Sequence, residues 1–264
     1  MKIGLFDSGI GGLSVLHRAI KRLPDAEYIY YADTDNVPYG EKSKETILSL
    51  AENVMKFLTD RGVDAVVIAC NTATSVAVKS LRQTYDLPII GMEPAVKKAR
   101  EDYPDGRTLV MATPVTVSGD KMRYLLERVD SKHLVDMIPM TGLVKFAEEG
   151  LFDGNDVQEY IRSQLRDTDL KKYASLVLGC THFNYFKKAL RRQVPDTIAF
   201  VDGIEGTVSQ LLRKLGLNPV SPSADTVPVT GPQVDYFISS RPADEADVAR
   251  FTALLGILDE AELL

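Results

Sequence analysis

Ala65-Val66-Val67-Ile68-Ala69-Cys70-Asn71-Thr72 is a short apolar run, rich in β-branched residues, that ends on a thiol and two polar side chains. Ser175-Leu176-Val177-Leu178-Gly179-Cys180-Thr181-His182 repeats the same design further along the chain. Runs this short, apolar at consecutive positions and followed by polar cap residues, read as strands buried on both faces that lead directly into helices. Working outward from the first, Lys2–Phe6, Glu27–Tyr31 and Leu87–Gly91 read as further strands. Helices are expected over Leu13–Leu23, Ser43–Arg61 (capped by Ser43) and Ala73–Thr84. Outward from the second, strands are expected at Thr108–Ala112, His133–Ile138 and Ile198–Asp202, with helices near Gly119–Arg128, Val157–Arg166 and Tyr185–Gln193. Strand–helix alternation implies βαβ units with right-handed crossovers.

The two passes overlay at a near-constant offset of about 110 residues, which points to an internal duplication. The expected fold is α/β: two pseudo-symmetric lobes, each a mostly parallel sheet flanked by helices, with the active site in the cleft between them. Residues 1–92 plus 205–264 form the first expected lobe and residues 93–204 the second. Within the remainder, a helix (Glu205–Leu215), a Pro/Ser-rich connector (Asn218–Pro228), a strand (Asp235–Ser239) and a helix begun at Pro242-Ala243-Asp244 return to the first lobe.

Composition narrows the function classes. Among 264 residues, 45% are hydrophobic and 26% charged, as in ordinary globular proteins. Only two cysteines occur, Cys70 and Cys180, too few for a disulfide framework. With three histidines and no close ligand pairing, no metal site is expected. The net charge of −6 argues against nucleic acid as a partner, and the basic cluster Lys187-Lys188 with Arg191-Arg192 reads as a solvated helix face. An acid at Asp7 interrupts any signal-peptide core, and no run is long enough to span a bilayer, so a cytoplasmic protein with reduced thiols and no membrane partner is expected.

Each cysteine follows the third strand of its repeat, where ligands of open α/β sheets bind and where helix N-termini attract anions and acidify thiols. A lone buried cysteine is more often a small hydrophobe, and a regulatory disulfide is a further reading. Two thiols at equivalent repeat positions suit a different chemistry: one thiolate takes a proton from carbon while a thiol on the opposite face returns one. Asp7-Ser8-Gly9-Ile10-Gly11-Gly12 forms a Gly-rich turn after the first strand, without the spacing of a nucleotide loop. Asp7 could orient a base or hold an ammonium, or merely brace the turn; Ser8 could bind a carboxylate. His182 lies two residues from Cys180, close enough to assist its proton transfer. His17 is expected on the surface and His133 in a structural role at a strand start. Pro38-Tyr39-Gly40 reads equally as cleft wall or surface turn.

Several blocks carry a resemblance. Phe6-Asp7-Ser8-Gly9-Ile10-Gly11-Gly12-Leu13-Ser14-Val15-Leu16, Tyr31-Ala32-Asp33-Thr34 with Val37-Pro38-Tyr39-Gly40, Val67-Ile68-Ala69-Cys70-Asn71-Thr72-Ala73-Thr74, and Leu178-Gly179-Cys180-Thr181-His182-Phe183 are similar to the motifs of the glutamate racemases, over roughly residues 1–203. The resemblance implies a cofactor-independent isomerase supplying D-glutamate for peptidoglycan, with Cys70 and Cys180 as acid/base pair, assisted by Asp7 and His182 respectively. It implies substrate contacts at Asp7, Ser8, Tyr39, Gly40, Asn71, Thr72, Thr181 and His182, with Pro38 in the same turn. Glu148, with Glu149 adjacent, resembles an acid near the second thiol; Thr113 and Thr116 are weaker candidates. A homodimer is expected by resemblance alone. Departures are Asp35-Asn36 for a common Ala-Arg, Asn184 for the usual Pro, and Asp202-Gly203 for a frequent Asp-Ser. The alternatives are a two-thiol racemase for aspartate or another amino acid, a non-catalytic two-lobed amino-acid-binding protein, and a thiol redox switch.

Overall fold

A computed structural model describes residues 1–92, 95–218 and 233–261. The chain opens with β1 (Lys2–Asp7), α1 (Leu13–Arg22), β2 (Glu27–Ala32), α2 (Lys44–Thr59), β3 (Ala65–Ile68), α3 (Asn71–Thr84) and β4 (Ile89–Gly91). These strands pair in parallel in the order β2-β1-β3-β4. Buried on both faces, they carry apolar side chains at consecutive positions instead of alternating ones. Ser43 caps α2 by accepting the Thr46 N–H at 3.2 Å.

The pattern then repeats: α4 (Val96–Asp102), β5 (Arg107–Ala112), α5 (Pro114–Val117), α6 (Asp120–Val129), β6 (Val135–Pro139), α7 (Gly142–Glu148), α8 (Asn155–Leu165), β7 (Tyr173–Leu178), α9 (Lys187–Arg191) and β8 (Ala199–Val201). The second sheet has the order β6-β5-β7-β8, again all parallel. Both sheets therefore run second-first-third-fourth strand, and both cysteines follow the third. The expected helix Tyr185–Gln193 is instead a 3-10 segment, Thr181–Phe186, followed by the short α9. Ala95, Val96, Ala99, Val110, Ala112, Met122, Val177 and Val201 form a core cluster beneath this sheet.

After β8 come α10 (Ile204–Lys214), β9 (Val234–Ile238), β10 (Arg241–Pro242) and α11 (Glu245–Ala261). Strand β9 adds in parallel to β2, and β10 pairs antiparallel to β9, so the first sheet reads β10-β9-β2-β1-β3-β4. Helix α10 packs on α1, where Arg22 bonds Glu205. The chain divides into two compact units, Met1–Glu93 with Ile204–Gly256 and Pro94–Gly203 with Ile257–Leu264. Most of the Pro/Ser-rich connector lies outside the described residues.

Two histidines depart from expectation. His17 is buried at 7% exposure, not on the surface, because α1 is covered by α10 as well as by its own sheet. His133 does not begin a strand: it is exposed, has φ 53°, and belongs to the turn that precedes β6. Asp130 organises that turn by accepting the N–H groups of Leu134 and Val135 at 2.7 and 3.1 Å.

Candidate active site

In the first unit, β1 ends on Asp7, fully buried, whose carboxylate accepts the Gly9 N–H at 3.0 Å. This local bond curls the chain into the Gly-rich turn and places Ser8, 4% exposed, beside the end of β3. Tyr30 holds the same turn from β2 by donating to the Gly9 carbonyl at 2.7 Å. Gly12 is there for lack of space: a Cβ would lie 2.5 Å from Asp7 Cβ and 3.1 Å from Ala69 Cβ.

Cys70 is the N-cap of α3, in extended conformation, and its sulfur accepts the Ala73 N–H at 3.4 Å. The thiol reaches Ser8 Oγ at 3.7 Å. An N–H aimed at sulfur from the end of a 14-residue helix favours negative charge on it. Asn71 and Thr72, both buried, form the first turn of α3. Tyr39 and Gly40 are buried and Pro38 partly so; Tyr39 packs edge-on against Phe6 with ring centroids 6.4 Å apart. Burial, then Asp33 and the nearby Cys70, hold the Tyr39 phenol in its neutral form far above the usual range.

In the second unit, Gly179 lets the end of β7 lie tight against β5, donating to the Met111 carbonyl at 2.7 Å. A Cβ there would meet that oxygen at 2.7 Å. Cys180, 7% exposed, precedes the 3-10 turn, and its carbonyl accepts the Phe183 N–H. The sulfur lies 3.7 Å from His182 Nδ1, and His182 Nε2 lies 2.7 Å from Glu148 Oε1 at the end of α7. Burial pulls the imidazole down, but its bonds to Cys180 and Glu148 and their charges outweigh that and raise it well above the ordinary histidine value. A buried, protonated imidazole between a sulfur and a carboxylate can store a proton for the thiol. Glu148 makes this contact, whereas Glu149 is exposed.

Thr181 is buried, and Asn184, where proline is usual in the resembling family, donates from Nδ2 to the Thr181 carbonyl at 3.2 Å. Thr113 and Thr116 are buried and share a hydrogen bond of 3.0 Å after β5. Thus Asp7, Ser8, Pro38, Tyr39, Gly40, Cys70, Asn71 and Thr72 lie in the first unit, and Thr116, Glu148, Cys180, Thr181 and His182 in the second. Sequence reasoning passed over two residues of the first unit. Asp33 sat in a quoted motif as an acid directly after a buried strand, a usable signal. Ser239 gave none, since its partner lies 206 positions away. Among the described residues no group of three or more His, Cys, Asp or Glu is placed to hold a metal ion, and no helix is long and apolar enough to cross a membrane.

Residues 8–211 match the model of the family described as Asp/Glu/Hydantoin racemase. A glutamate racemase of Campylobacter curvus is 49% identical over 98% of this chain and 98% of its own length. Among solved structures, a glutamate racemase from Campylobacter jejuni superposes with a TM-score of 0.81 at 28% identity, covering 97% of this chain and 98% of its own. One from Francisella tularensis, in complex with D-glutamate, does so with 0.78 at 25% identity, over 97% and 93%.

Proposed function

The chain belongs to the Asp/Glu/hydantoin racemase family, and we propose that it interconverts L- and D-glutamate by proton transfer at Cα, without a cofactor. One observation carries the reading: two thiols outside any disulfide, each buried at the end of the third strand of the same four-strand order. Inversion at Cα requires one group to take the proton and another to return one to the opposite face of the carbanion. One thiolate, Cys70 or Cys180, breaks the Cα–H bond and becomes a thiol, and the other thiol reprotonates Cα and becomes the thiolate for the reverse direction. Asp7 and Ser8 serve the first thiol, His182 and Glu148 the second. Hydroxyl and amide groups of Ser8, Asn71, Thr72 and Thr181 bind the substrate carboxylate, and their fixed dipoles stabilise the developing carbanion.

The relatives' names favour glutamate over aspartate or another amino acid. A cytoplasmic homodimer supplying D-glutamate for peptidoglycan goes with the same reading. Incubation of the purified protein with L-glutamate in D2O tests it. Loss of optical rotation with one α-deuterium per inverted molecule is expected. Unchanged rotation and no deuterium sink the reading, and exchange on aspartate alone transfers it to that substrate.

A further inference from the structure

The β9–β10 hairpin turns on Ser239 and Ser240, at φ 43° and 75°. A two-residue hairpin with left-handed backbone at both positions is normally filled by Asn-Gly or Gly-Gly, because a side chain there costs free energy. Non-glycine residues persist in such a conformation when their surroundings over-determine it. Here the serine hydroxyls do what glycine could not. Ser239 Oγ donates to Asp33 Oδ1 at 2.9 Å and accepts the Asp35 N–H at 3.1 Å, while Ser240 Oγ meets Tyr31 OH at 2.9 Å.

Asp33 is 3% exposed, and its carboxylate is a junction. Besides Ser239 it accepts Tyr39 OH at 2.6 Å and Asn36 Nδ2 at 3.1 Å, and its own N–H donates to the Asp7 carbonyl at 3.0 Å. We propose that Ser239 is a positioning residue for substrate binding: through Asp33 it fixes the Tyr39–Gly40 turn, so that a hairpin near the end of the chain sets a binding surface near its beginning. The inference rests on the reading that this turn contacts glutamate. A hairpin serving only to close the sheet needs no hydroxyl at position 239, whereas this one spends its hydroxyl on the Asp33 junction.

The test uses Ser239→Gly in the full chain, because glycine accepts φ 43° freely and the variant loses the hydroxyl without asking the hairpin to refold. KM for glutamate is expected to rise about 3- to 10-fold with kcat changed less than about 2-fold, the scale of one hydrogen bond. Tyr39→Phe is expected to do the same, and the double variant to be no worse than either single one, because both cut one chain of contacts. Amide hydrogen exchange across residues 33–42 is expected to quicken in Ser239→Gly. An unchanged KM, strictly multiplicative effects in the double variant, or unchanged exchange across residues 33–42 overturns the proposal. Exchange needs no turnover, so it judges the clamp even if the wild type fails to racemise glutamate, which would instead overturn the functional reading.

Discussion

The two thiols occupy the same address in one four-strand order, which is the whole of the second sheet and four of the six strands of the first, yet their neighbours differ in kind. Cys70 caps a 14-residue helix, with a backbone N–H on its sulfur and a serine hydroxyl 3.7 Å away. Cys180 begins a 3-10 turn and leans on an imidazole that a carboxylate holds in place. The first sulfur meets a backbone N–H and a hydroxyl, the second an imidazole backed by a carboxylate. Duplication supplied equal positions. The different turn after each strand makes the two thiols chemically distinct.

The equality of position breaks most visibly on removal of either thiol. Cys70→Ser and Cys180→Ser are each expected to lower racemisation by about 10³-fold or more, since a hydroxyl is a far weaker base than a thiolate at neutral pH. The measurement is polarimetry on glutamate at fixed enzyme concentration. Full activity in either variant would show that the sequence repeat has no catalytic counterpart.

Glu148→Gln probes the difference between the halves. Enantiomers have equal free energy in water, so kcat/KM must fall equally in both directions, by about 10- to 100-fold for a weakened proton-transfer assistant. The asymmetry appears in the primary deuterium isotope effect, which grows in the direction where Cys180 takes the proton and shrinks in the other. The pH dependence follows from charge. Glu148 helps raise the His182 imidazole, so removing its charge lets the proton leave at lower pH, and the alkaline fall in activity moves down. Equal isotope effects and an unmoved alkaline limb would make the two thiols equivalent after all.

How much of this was legible in the sequence depends on range. Most strands from Lys2 to Val201 announced themselves by apolar runs, because a parallel sheet covered on both faces takes apolar side chains at consecutive positions, although the edge strand β6 carries Asp136 and is at least partly exposed throughout. The turn glycines and both cysteines were readable from their place after those runs. Helix α7 was not, since seven residues are too few to display a helical period, and its carboxylate had to be placed through a resemblance with Glu149 as rival. His17 was misread because one helix's pattern does not reveal that α10, nearly two hundred residues later, covers its outer side. The Ser239–Asp33 bond was invisible for the same reason.

Two glycines sharpen the comparison on the scale of stability. In the first unit a methyl on Gly12 would strike Asp7 Cβ at 2.5 Å, a side chain of the proposed site. In the second a methyl on Gly179 would strike the Met111 carbonyl oxygen at 2.7 Å, a backbone atom locked in the sheet and bonded to the Gly179 N–H. Gly12→Ala and Gly179→Ala are each expected to cost about 1–3 kcal/mol, the scale of overpacking, read as a lower urea midpoint. Their catalytic signatures should differ. Gly179→Ala pushes β7 off β5 and displaces Cys180 together with its whole turn, so kcat falls. Gly12→Ala shifts the Asp7 carboxylate, which serves Cys70 and also contacts substrate in the proposed reaction, against a thiol that α3 still holds, so KM rises together with a smaller fall in kcat. If both variants instead lower kcat alone and by the same factor, the two turns position their thiols in one way, and the contrast between the neighbours of the two sulfurs does not extend to how each sulfur is held.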